Sequence, residues 1–184
     1  EAVKGYEFVF DQQYADVVAN HCTILPFTRN VFDPMDFTPM ILDNIPGIQK
    51  HTTNGFELAL PVLFHSGIQH FPELPEVIAK QPDFVKDFLK GLPVVWDDIR
   101  FIDGYPGRYV VIARRKGNSW YIGGINGDDS PLDLTLDLAF LKGRKGFKIM
   151  DGQAKFSFKR RTLILDNGFH RLTIQPNGGF VMVF

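Results

Sequence analysis

Residues 110–124 read VVIARRKGNSWYIGG. Two apolar runs, rich in β-branched and aromatic side chains, flank Lys116-Gly117-Asn118, and a short link of this kind between such runs predicts a tight β-hairpin. The same texture extends both ways. VVWDDIRFIDG, GRYVVIARRKG, NSWYIGGING, LDLTLDLAFL, GFKIMDG, FSFKRRTLIL, HRLTIQP and GFVMVF form a series of eight short strand-like segments from Val94 to the last residue, separated by turn residues. LDLTLDL alternates strictly, which predicts a strand with one buried and one wet face. Eight such segments predict an antiparallel sandwich or barrel.

Before residue 91 the pattern changes. HCTILPF (21–27) reads as a short buried strand, and TRNVFDPMDFTP (28–39), with two prolines, as an irregular loop. NGFELALPVLFHSGIQ (54–69) is apolar on most sides, as expected of a helix packed inside a larger structure, with Pro61 kinking it or ending its first part. DFVKDFLK (83–90) predicts a second helix: Asp83 can cap the first turn, Phe84 and Phe88 stack at i, i+4, and Gly91 stops it.

A chain of 184 residues that is 45% hydrophobic, with a net charge of -1, is long enough for one domain or two small ones. That charge is no footprint for nucleic acid. The basic clusters Arg114-Arg115-Lys116 and KGRKG (142–146) are short, and each reads as a solvated turn. FELALPVLF is too short, and with Glu57 too polar, to predict a membrane span. One cysteine, Cys22, excludes an intrachain disulfide and a cysteine-based zinc site. Histidines 21, 51, 65, 70 and 170 show no metal-ligand spacing. Trp96 and Trp120 could stack on a sugar ring or pack a core.

The first residues are EAVKGYEFVF. As one strand, Glu1 and Glu7 would lie roughly 20 Å apart, and as a helix they would face different ways. A joint role therefore needs a bend, which Gly5 can supply. EAVKGYE, NHCTILPFTRNVFDPMDFTP, TTNGFELALPVLFHSGIQ and WDDIRFIDGYPGRYVVIARRKGNSWYIGGING, in that order, resemble glycoside hydrolase family 97, the calcium-dependent α-glucosidases and α-galactosidases. The resemblance implies a three-part enzyme: an N-terminal β-supersandwich, a (β/α)8 barrel and a C-terminal β-sandwich. This chain would hold the last part of the barrel (1–91), followed by the antiparallel all-β sandwich (92–184), an α+β fragment whose N-terminal remainder lies upstream.

The resemblance also implies roles. Glu7 matches the general acid that protonates the departing glycosidic oxygen, and Glu1 a calcium ligand. His21 and Arg29, flanking the apparent last barrel strand, are candidates for substrate hydroxyls, and Asp36 for bracing a loop. Asp11 and Asp16 match nothing catalytic. The implied substrate is an oligosaccharide or α-glycoside, the cofactor calcium, and the location periplasmic or secreted. The alternative is an autonomous β-sandwich that binds carbohydrate or joins subunits, for which exposed aromatics on one face would speak, whereas buried Trp96 and Trp120 would speak for a packing domain.

Overall fold

A computed structural model describes residues 11–35, 40–67, 69–154 and 156–184. All eight predicted strands form: β1 (Asp98–Tyr105), β2 (Tyr109–Lys116), β3 (Ser119–Asn126), β4 (Leu132–Asp137), β5 (Lys145–Asp151), β6 (Phe158–Ile164), β7 (Phe169–Ile174) and β8 (Gly179–Val183). Six of them make one antiparallel sheet in the order β1-β2-β3-β8-β5-β6, and β4 pairs with β7 in a second. The hairpin at 116–119 closes with Lys116 opposite Ser119, and Gly117 takes the positive φ (56°) that the two-residue turn demands.

Period-two alternation makes the larger sheet two-sided. Val111, Ala113, Trp120, Ile122 and Met182 join Leu134, Leu136 and Leu172 of the small sheet in one core, while Val110, Ile112, Ile125, Ile149 and Val181 face the helices in another. Trp120 is 7% exposed and stacks edge-on against Phe140, and half-buried Trp96 packs edge-on against Tyr121. Both rings pack the domain.

The helices are α1 (Gln12–Ala15), α2 (Val18–Ile24), α3 (Arg29–Phe32), α4 (Asn54–Leu63), α5 (Pro75–Lys80) and α6 (Asp83–Lys90). Residues 21–27 are thus helical, continuing from α2 into a 3-10 turn at Leu25–Phe27, contrary to the expected strand. A strand needs a neighbour to take its backbone groups, whereas a helix closes its own: the His21 N–H meets the Val17 carbonyl at 2.9 Å. Ala19, Cys22 and Thr23 are buried at the i, i+3, i+4 spacing of one helix face, and Leu25 is buried with them. Helix α6 matches its predicted span, though its N-cap is Pro82, and Asp83 instead pairs with Lys86 at 2.9 Å.

Helix α4 is the strut of the fold. All ten of its residues are buried, and it stops two residues past Pro61, short of the expected Gln69. Burying Phe56, Leu58, Leu60 and Leu63 contributes about 1.5–3 kcal/mol each. The sheet grips both of its ends. At the start, Thr53 caps the Phe56 N–H, while Asp151 at the end of β5 accepts from Gly55 N (2.7 Å), Thr53 Oγ1 (2.8 Å) and Gly179 N (3.3 Å). Burial raises the Asp151 carboxyl pKa, and these bonds work against the rise. At the far end, Arg114 Nε and Nη2 donate to the carbonyls of Val62 (2.6 Å) and Leu63 (3.0 Å). Arg114 is 4% exposed, which corrects its reading as part of a solvated turn. Burial brings its pKa down to about 10, so it stays charged and satisfies the orphan carbonyls of a helix C-terminus.

Between the two sheets, Lys148 Nζ lies 3.0 Å from His170 Nε2. Burial, then the Lys148 charge, pushes the His170 pKa down to about 4; burial, then Arg161 and Lys159, pushes Lys148 down to about 8. Since the unfolded chain takes up a proton at His170 near pH 6.5 and the folded chain only near 4, stability should fall as pH drops from about 6.5 to 4. Thermal melts of the wild type and of His170→Gln across that window check this: the substitution should flatten the loss.

Candidate functional site

A polar groove of about 540 Å³ opens where α1 and α2 meet the turns after β3 and before β8. Gln12, Asp16, Asn20, His51, Asp129 and Asn177 line it. Asp11 caps α1 through the Gln13 N–H, and Asp16 closes the helix. There the Asp16 carboxylate accepts from Gln12 Nε2 (2.6 Å) and meets His51 Nε2 (2.9 Å). These two hydrogen bonds, Gln12 first, hold its pKa below the usual carboxylate value. Gln12 also clamps both backbone groups of Gln49, at 2.8 and 3.2 Å, so the loop carrying His51 is fixed to α1. Opposite, Asn177 Nδ2 donates to Asp129 Oδ1 (2.7 Å), and Arg108 reaches Asp128 (3.2 Å). Asn20 ties α2 to the β1–β2 turn at the Gly107 carbonyl, 2.5 Å away.

The groove therefore joins the helical segments to the β half with amides and carboxylates, groups that hydrogen-bond to hydroxyls as well as to each other. It starts two residues after the segment 1–10. Glu1, Glu7 and Asp36 all lie outside the described residues.

His21 is exposed on α2. Arg29 turns its guanidinium onto its own loop, with Nη1 3.3 Å from the Asp33 carbonyl and Nη2 3.2 Å from that of Pro34. Neither of these two residues lines the groove. Asp16 and His51 do, 35 residues apart in sequence, and no spacing rule could have paired them.

A buried network braces the residue 40–53 loop. Glu57 accepts from Ile41 N (3.2 Å) and from Thr52 Oγ1. Lys50 Nζ donates to the Ile41 carbonyl (2.5 Å) and to Asn54 Oδ1 (3.1 Å). Burial lowers the Lys50 pKa against the raising charges of Glu57, Glu73, Asp151 and Asp43. Among the described residues, no three His, Cys, Asp or Glu side chains converge to hold a metal ion.

A family model described as "Glycosyl-hydrolase 97 C-terminal, oligomerisation" matches residues 95–184. The chain is 32% identical over 176 residues to a retaining alpha-galactosidase of Bacteroides thetaiotaomicron, covering 86% of this chain and 26% of that protein. The crystal structure of a beta-arabinopyranosidase aligns with a TM-score of 0.89 at 35% identity, over 97% of this chain and 29% of its own. A family 97 enzyme from Pseudoalteromonas sp. strain K8, solved with acarbose, aligns with a TM-score of 0.75 at 30% identity, over 90% of this chain and 28% of its own. The chain thus spans less than a third of each of these proteins.

Its antiparallel β half is of the class that completes large glycoside hydrolases. The chain belongs to glycoside hydrolase family 97, and residues 95–184 are that family's C-terminal domain.

Proposed function

We propose that this chain is the C-terminal part of a family 97 α-glycosidase, an α-glucosidase or α-galactosidase that removes terminal α-linked sugars from oligosaccharides. The observation that carries the reading is the match across 90% of the chain, helices included, to a family 97 enzyme, beside matches to a retaining alpha-galactosidase and a beta-arabinopyranosidase. Residues 1–91 would complete the catalytic (β/α)8 barrel, and 92–184 form the β domain, with the upstream remainder of the enzyme as the chain's partner. The family 97 enzyme solved with acarbose supports an oligosaccharide substrate.

In this reading Glu7 is the general acid. Glycoside cleavage requires one carboxyl group protonated at the leaving oxygen and a second across the ring, and the second would come from upstream. Glu1 would be one oxygen ligand of a calcium ion, a hard cation that takes six to eight such ligands, the others coming from outside this chain. When bound, the ion would supply fixed positive charge beside the site. His21 and Arg29 are proposed as substrate contacts, and the enzyme as periplasmic or secreted.

The roles of the two glutamates separate by experiment. In the full-length parent enzyme, Glu1→Gln is expected to raise the calcium concentration needed for half-maximal activity about tenfold or more, the scale on which metal affinity falls when a ligand or its support is altered. Saturating calcium should restore most of the turnover. An unchanged calcium requirement would remove Glu1 from the site.

A further inference from the structure

The large sheet has two free edges, and they differ in chemistry. The β6 edge carries Lys159, Arg160 and Arg161, a run of like charge that opposes pairing with its own copy. Strand β1, at the other edge, alternates Asp98, Ile99, Arg100 and Phe101. Large apolar side chains crowd here: Val94 (50% exposed), Val95 (59%), Ile99 (54%), Phe101 (58%) and Tyr105 (64%). In the rest of the β half, only Ile164 and Phe169 are comparably exposed among the described residues. The Ile99 N–H donates to the carboxylate of its own neighbour Asp98 (2.9 Å), as an edge amide lacking a strand partner can.

We propose that strand β1, with its lead-in 94–97, is the surface through which two copies of this chain pair, edge to edge and antiparallel, about a two-fold axis at Ile99. The inference rests on the family model for residues 95–184, whose description names oligomerisation, and adds the face. Charge selects both the copy and the register. In an antiparallel self-pairing, the positions facing each other have a constant sum. With Ile99 opposite Ile99, Asp98 of each copy faces Arg100 of the other, so opposite charges pair twice and two β-branched side chains meet on the axis. Centring the axis on Arg100 instead would set Arg100 against Arg100, like charge on the axis. The pairing would join two six-stranded sheets into one continuous sheet and cover the exposed apolar row.

The mass of the full-length parent enzyme, measured by light scattering over a dilution series, tests the proposal. The wild type should run at twice its monomer mass. Ile99→Lys sets two ammonium groups against each other on the axis, and should weaken the dimer at least about tenfold. Ile164→Lys, on the other edge, should leave it intact. Circular dichroism and thermal melting confirm that each variant folds. Ile99→Cys supplies a readout independent of weakened association: facing Cα atoms about 5 Å apart are within disulfide reach, so oxidation should give a covalent dimer, whereas buried Cys22 should give none in the wild type. A wild type that stays at its monomer mass overturns the oligomerisation reading as well as the proposal. A dimer unmoved by Ile99→Lys and uncrosslinked through Ile99→Cys overturns the β1 assignment and leaves oligomerisation standing.

Discussion

Replacing Glu7 by Gln in the full-length parent enzyme is expected to lower turnover of natural α-linked disaccharides about 10²- to 10⁴-fold, the range that general acid assistance contributes. The amide keeps the shape of the side chain and removes only the transferable proton. An aryl glycoside with a low-pKa leaving group needs little protonation as the bond breaks, so its hydrolysis should lose far less. The informative quantity is the ratio of the two losses, measured as kcat/KM on nitrophenyl and disaccharide substrates. Equal losses would show that Glu7 holds substrate or structure and is not the acid.

The second large effect belongs to the fold. Gly55→Val is expected to destabilise the chain by about 3 kcal/mol or more, the upper end of overpacking penalties, and so to lower Tm by roughly 6–12 °C for a chain of this size. A Cβ at Gly55 would overlap the Gly179 carbonyl oxygen and lie 2.7 Å from Asp151 Oδ1. The contact is mutual, because a Cβ at Gly179 would lie 2.7 Å from the Gly55 carbonyl oxygen and from Phe56 Cα. Helix and sheet meet here backbone to backbone, and neither can move without breaking the Asp151 bonds that hold the helix start. Gly47, with open space around it, marks the contrast: its positive φ (77°) makes a side chain there a matter of backbone strain and not of collision. A Gly55→Val protein melting with the wild type would show that α4 does not sit this close to β8.

What the sequence disclosed follows from which forces are local. The eight strands were legible because alternation and Gly-containing turns are written within a few residues, as LDLTLDL and Lys116-Gly117-Asn118 show. Helix α6 was legible for the same reason. HCTILPF misled because a short apolar run has no period of its own, and what decides it is whether a neighbouring strand is available. Arg114 misled because charge in a basic cluster signals solvent, whereas its guanidinium is recruited by the carbonyls of a helix about fifty residues earlier. The Asp16–His51 contact and the Asp151 clamp were invisible for the same reason, since both join residues that only the fold brings together. Glu1, Glu7, His21 and Arg29 entered through family resemblance. Of these, only His21 and Arg29 fall among the described residues, one on an exposed helix face and one bonded to its own loop.

The most direct measurement of the proposed function is the hydrolysis of nitrophenyl α-galactoside and nitrophenyl α-glucoside by the full-length parent enzyme, before and after calcium is stripped by a chelator. The expected result is turnover of at least one of the two, lost on chelation and recovered when calcium is returned. Turnover of neither, or turnover indifferent to calcium, would contradict the assignment of this chain to a calcium-dependent α-glycosidase.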